Sequence, residues 1–164
     1  MKDIPHARSD LTTSSDPYLA QEIEEGTAVC KGCGAVYRNK RWYLSVELAD
    51  EERREAKEVL CPACRKVRDR MPEGIVLLSG KFLAQHKEEI LNLARNEEEN
   101  AMGLNPLERI MEIVDRGEEV EITTTSEHLA QRIGRAVQSA YSGELQIKFS
   151  EDVKLTRVSW RREK

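Results

Sequence analysis

Hydrophobic spacing changes character along this chain, and its clearest signals lie in the second half. Ile75-Val76-Leu77-Leu78 is an unbroken apolar run closed by Ser79-Gly80. Such a run between breakers predicts a short strand buried on both faces. A helix is predicted from about 82 to 100, where Leu83, His86, Ile90, Leu93 and Ala94 line one stripe. His86 reads as a packed or hydrogen-bonded histidine, because no partner stands at metal-ligand spacing. Glu97-Glu98-Glu99 places like charges near the helix C-terminus, where they predict a solvated, fraying end. Asn105-Pro106-Leu107-Glu108 then carries the marks of a second helix start, with Leu107, Ile110, Met111 and Val114 at helical spacing and Gly117 as the stop.

The period next switches to two. Val120, Ile122 and Thr124 alternate with polar residues and predict a strand over 119–124. Thr124 and Glu127 have capping-box spacing for a helix whose stripe is Leu129, Ile133, Ala136, Val137 and Ala140, ending at Gly143. Leu145–Phe149 and Val153–Trp160 predict a hairpin around residues 150–152. The alternation slips between Leu155 and Val158, which predicts a bulge or an edge position for the last strand. The predicted order over 73–164 is β-α-α-β-α-β-β, one mixed sheet packed by helices on one side.

The first half is more polar. Residues 1–25 hold few large apolar groups and predict a mobile tail. Val36–Tyr43 reads as a hairpin turning at Asn39-Lys40. Residues 46–60 are rich in helix formers, with Asp50 as the N-cap and Leu48, Ala56, Val59 and Leu60 as the docking face. The expected architecture is α+β: a four-cysteine zinc ribbon over 26–72, then the mixed-sheet α/β domain.

Cysteine spacing changes the picture most. Cys30 and Cys33 sit in CKGCG, Cys61 and Cys64 sit in CPACR, and these are all the cysteines of the chain. Two CxxC turns can close a tetrahedron around one structural Zn²⁺, with Zn–S near about 2.3 Å. Gly34 follows the first pair, where a tight knuckle favours positive φ, and Pro62 stiffens the second. Disulfides and redox or iron–sulfur chemistry compete with this reading. The start MKDIPHARSD has no apolar segment to direct the chain to an oxidising compartment, and redox motifs usually use a single pair. A cytoplasmic location is the matching expectation. Four thiolates would saturate the ion, so the site is read as structural.

Charge then locates a surface. The net charge is −4, yet residues 26–72 carry eleven basic against seven acidic groups. Arg38, Lys40 and Arg41 interleave with Tyr37, Trp42 and Tyr43, a pattern suited to phosphate contact and base stacking. The competing reading has Tyr37 or Trp42 covering the small core. Arg65, Lys66, Arg68 and Arg70 form the densest basic cluster, read as phosphate contacts or as a basic linker held by neighbouring acids. No apolar run approaches membrane-spanning length, so no membrane partner is expected. No nucleophile–base set, phosphate loop or small-molecule substrate can be named, and a non-enzyme is expected.

The double knuckle, the Thr-Thr-Thr-Ser turn, the helix LAQRIGRAVQSAYSGEL and the closing hairpin together resemble a known family. It is the nonsense-mediated mRNA decay protein three family, which comprises the export adaptor of the large ribosomal subunit and its archaeal relatives. The resemblance covers residues 28–160 and is most telling over 122–145. With one four-cysteine set, the chain looks like a short, prokaryotic-type member. The resemblance implies a zinc-binding protein that associates with the large ribosomal subunit or its ribosomal RNA, in assembly or translation. Cys30, Cys33, Cys61 and Cys64 would be its ligands. Arg132 and Arg135, on the predicted helix after the Thr-rich turn, would extend the phosphate track if the second domain folds against the ribbon. An adaptor that contacts protein through Trp42, Tyr43 and the acidic tail is the alternative, and an enzyme using carboxylates near 118–127 is a third.

Overall fold

The computed structural model describes residues 26–44 and 46–164. The tail expected at 1–25 lies outside the described residues. The chain divides into two compact units between Lys66 and Val67.

The first unit holds β1 (Ala28–Cys30), β2 (Val36–Arg38), β3 (Arg41–Tyr43), α1 (Asp50–Glu55) and β4 (Lys57–Val59). Helix α2 (Pro62–Asp69) starts in it and crosses the division. The sheet order is β3-β2-β1-β4, with β4 parallel to β1 and the other pairs antiparallel. The hairpin turns where expected. Asn39 and Lys40 both have positive φ, at 54° and 62°, as a two-residue type I′ turn requires. Tyr37 and Trp42 face each other across it with ring centroids 5.2 Å apart. Ala28, Cys30, Ala35, Val36, Leu48, Cys61 and Ala63 are buried, a core too small to include many large side chains.

The helix expected over 46–60 is cut short. Ala56 leaves the helical region with ψ 142°, and Lys57–Val59 pairs with β1 instead. Backbone groups along the β1 edge gain partners this way, and that pairing outweighs local helix propensity. The N-cap is Ala49, not Asp50; Glu52 Oε1 accepts the Ala49 N–H at 3.2 Å.

The second unit runs β5 (Gly74–Ser79), α3 (Lys81–Gln85), α4 (Lys87–Leu104), β6 (Ile110–Asp115), β7 (Glu119–Thr124), α5 (Glu127–Tyr141), β8 (Glu144–Phe149) and β9 (Thr156–Arg161). Its five-stranded sheet has the order β6-β7-β5-β9-β8, with β5 parallel to β9 and the other neighbours antiparallel. Val76, Leu78, Val120, Ile122, Val158 and Trp160 alternate inward and pack with Leu83, Ile90, Ala94, Leu129, Ile133 and Val137 from the helices. The mixed α+β class is as expected from the sequence.

Several elements differ from expectation. β5 buries Val76 and Leu78 but leaves Ile75 and Leu77 half-buried on the other side, so only one face is sealed. The 82–100 helix is two helices that meet at His86, whose ring stacks on Phe82 at 4.1 Å and bonds Glu89. It also reaches Leu104 rather than fraying. Glu97 accepts from Arg132, and Glu98 Oε2 accepts the Ile110 N–H at 2.8 Å, so this acidic run is anchored. The helix expected from Asn105 is strand β6. Asn105 Oδ1 caps the Leu107 N–H at 3.0 Å in a turn, and Ile110–Val114 then pairs with β7, placing Ile113 opposite Ile122. The cap of α5 is Ser126, whose Oγ accepts the Leu129 N–H at 3.0 Å; Thr124 belongs to β7 and donates to the Ser126 carbonyl. β9 starts at Thr156 and lies between β5 and β8, so it is neither bulged nor at an edge. The phase slip reflects Val153 and Leu155 lying outside the strand. The order is therefore β-α-α-β-β-α-β-β.

Candidate metal centre

Each pair of cysteines is shaped by the backbone that carries it. Cys30 ends β1, and the chain reverses at once: Gly34 N–H donates to the Cys30 carbonyl at 2.9 Å, and Cys30 N–H donates to Ala35 O at 2.7 Å. Gly34 takes φ +85°, a conformation open to glycine at little cost. The second pair opens α2. Pro62 occupies the first helical position, where no amide donor is needed. The Cys64 N–H points at Cys61 Sγ (3.4 Å), and the Arg65 N–H reaches the Cys61 carbonyl (3.0 Å). The parallel pairing of β4 with β1 delivers the second knuckle to the first. Lys31 N–H donates to Val59 O at 2.8 Å, and Cys61 N–H donates to Cys30 Sγ at 3.2 Å.

All four sulfurs consequently lie within 4.8 Å of one another. Cys33 Sγ and Cys61 Sγ are 3.9 Å apart. A tetrahedron with metal–sulfur bonds of about 2.3 Å has edges of about 3.8 Å, so the cluster has the right size for one ion. Cys30 and Cys61 are buried, Cys64 is half-buried and Cys33 is exposed. The four sulfurs can hold a metal ion, and the donor set leaves no protein-side gap in a four-coordinate shell.

Electrostatics favour a cation here. Burial raises the Cys30 pKa, but amide hydrogen bonds from Cys61, Cys33 and Gly32 and the Cys64 thiol outweigh it and bring it down to about 6. The Cys64 thiol is pushed up by burial, by its hydrogen bond with Cys30 and by the charge of Cys33. One sulfur readily becomes a thiolate and its neighbour resists, since two bare anions repel at this distance. A bound cation removes that conflict and lets all four deprotonate.

The basic residues singled out from sequence fall in both units. In the first, Lys40 and Arg41 are exposed at the hairpin turn, and Trp42 is half-buried against Tyr37. Arg38, beside them in β2, forks onto Glu52 at 3.2 and 3.3 Å. Arg65 and Lys66 are half-buried on α2, directly after Cys64. Arg68 and Arg70 follow at the helix end and are exposed; Arg68 bonds Asp69 at 2.8 Å. Arg132 and Arg135 lie on α5 of the second unit, along a shallow concavity of about 450 Å³ shared with Glu97 and His128. Arg132 Nε bonds Glu97 at 2.7 Å, while Arg135 is exposed. Sequence reading missed these carboxylate partners. Only Asp69 was legible as a neighbour of its cation; Glu52 and Glu97 reach theirs through the fold.

No family model, curated protein or solved structure matches this chain. Among the described residues, no helix is long and apolar enough to cross a membrane.

Proposed function

We propose that this is a zinc-ribbon RNA-binding protein in which one structural Zn²⁺ holds a basic platform against RNA. The carrying observation is the four-sulfur cluster that leads directly into the cation-rich α2. Soft thiolates in a tetrahedral set suit Zn²⁺ over hard cations, and a saturated shell leaves no position for substrate. The ion therefore supplies rigidity. It ties β1 to the start of α2 and sets the direction in which Arg65, Lys66, Arg68 and Arg70 project. Lys40, Arg41 and the rim of Trp42 form the second contact region, where cations meet phosphate and a ring edge meets a base.

The partner we propose is ribosomal RNA of the large subunit, in keeping with the resemblance to the nonsense-mediated mRNA decay protein three family. The location consistent with that partner is cytoplasmic. Three measurements test the proposal. Elemental analysis should give one Zn per chain; iron, or no metal in folded reduced protein, would sink the metal part. Co-sedimentation with large subunits at low salt should be lost when Arg65, Lys66, Arg68 and Arg70 all become Glu. On isolated single-stranded RNA the slope of log affinity against log salt should flatten by about 0.7 for each phosphate contact removed. Unchanged sedimentation and slope would remove α2 from the account. Salt-insensitive capture of a protein partner without RNA would favour the adaptor reading.

A further inference from the structure

Within the second unit, the described helices pack on one side of the five-stranded sheet only. Every inward residue of β5, β7 and β9 packs toward the helices. The alternate residues form cross-strand rows on the opposite face, and the pairing registers define them. In order β8-β9-β5-β7-β6, one row reads Lys148, Arg157, Ile75, Thr123, Glu112. The next reads Gln146, Ser159, Leu77, Glu121, Val114. Beyond it stand Glu144, Arg161, Ser79 and Glu119, with Arg116 just past the end of β6 and its N–H on the Glu119 carbonyl.

The charges on this face are arranged, not scattered. In the last row they run negative, positive, neutral, negative, positive. Turning that row about β5 reverses the sign at every charged position. In the first row Lys148 and Glu112 stand at opposite ends and exchange in the same way, while Arg157 and, in the next row, Glu121 exchange with the neutral Thr123 and Ser159. Ile75 and Leu77 lie on the turning line, half-buried and apolar.

We infer that this face binds a second copy of the same chain. Two copies related by a two-fold axis parallel to β5 set β5 on β5, β9 on β7 and β8 on β6, an aligned sheet-on-sheet packing. Arg161 then meets the partner copy's Glu119, Glu144 meets Arg116, and Lys148 meets Glu112. Ile75 and Leu77 form the apolar centre. The intrachain pairs Arg116–Glu121 and Arg161–Glu163 hold these cations at the sheet surface. RNA fits this face poorly. It carries no aromatic ring for base stacking, and Glu112, Glu119, Glu121 and Glu144 balance its cations, which leaves no net positive charge to draw phosphate. Five strands about 4.8 Å apart and about 20 Å long give a patch of about 500 Å² per copy. The total of about 1,000 Å² lies at the threshold of a specific interface, so a concentration-dependent, salt-sensitive dimer is expected.

Charge reversal on the whole 164-residue, metal-loaded chain tests this. Sedimentation equilibrium should show a monomer–dimer equilibrium of the 18.8 kDa chain that weakens as salt rises. Lys148→Glu with Arg161→Glu makes both halves of the face negative and should weaken self-association at least about tenfold. Glu112→Lys with Glu119→Lys makes both halves positive and should do the same. Mixing the two variants should restore a heterodimer, which also proves that both are folded. A monomer at all concentrations overturns the inference, as does a dimer indifferent to both variants or no recovery on mixing. Loss of binding to an RNA oligonucleotide in the first variant, with every species monomeric, would assign the face to RNA and overturn it equally.

Discussion

Gly134 shows how much a single missing methyl can matter. A Cβ placed on it would stand 2.4 Å from Val158 Cγ1 and 3.2 Å from Leu145 Cδ1. α5 lies this close to β9 because position 134 has no side chain. Gly134→Ala gains about 1 kcal/mol of helix propensity but overpacks a stiff β-branched neighbour at a cost of about 1–3 kcal/mol. The expected net loss is about 1 kcal/mol, read as a melting temperature lower by about 4–8 °C for a unit of this size. An unchanged or higher melting temperature would show that α5 can shift outward freely. The four clustered cysteines were legible at this same scale, because CxxC spacing is a property of the chain. The carboxylates that meet Arg38 and Arg132 were not, since Glu52 and Glu97 approach only after folding.

At the level of elements, the β2–β3 hairpin makes a separable prediction. Lys40 sits at φ 62°, where a side chain costs about 1 kcal/mol and glycine costs almost nothing. Lys40→Gly should raise the stability of the metal-loaded first unit by up to about 1 kcal/mol in urea titrations. If Lys40 contacts phosphate, RNA affinity should fall in the same variant, so stability and binding move in opposite directions. A parallel change in both would remove Lys40 from the contact surface. Elements with one dominant signal were readable from sequence: β5, β7, α5 and this hairpin. β4 and β6 were misread as helix because Lys57–Val59 and Ile110–Val114 tolerate helical spacing. Their state depends on the strands beside them, β1 and β7. The register of β6 sets Glu112 opposite Thr123 and Ile113 opposite Ile122, with an irregularity between Ile110 and Glu112 that local spacing does not announce.

For the whole molecule, the two units differ in what holds them. The first has a few small buried residues and a four-sulfur cluster. The second has a continuous apolar core that contains no cysteine. A core this small gains folding free energy from an ion bound at such a cluster. Treatment with a strong chelator under reducing conditions should therefore unfold 26–66, while the second unit keeps its helical far-ultraviolet signal and a native environment for Trp160. Loss of the Trp42 signal alone on chelation is the expected fluorescence change. Joint collapse would show that the units are one folding system.

Local patterning alone determined the two CxxC pairs, the α+β class and the Leu129, Ile133 and Val137 stripe of α5. These follow from spacing along the chain, which tertiary contacts do not alter. Pairing across the chain decided the rest. It made strands of β4 and β6, placed β9 inside its sheet, matched cations with distant carboxylates and set the helices of the second unit on one side of its sheet. Such features depend on backbone hydrogen bonds and charges that meet only when residues far apart in sequence become neighbours.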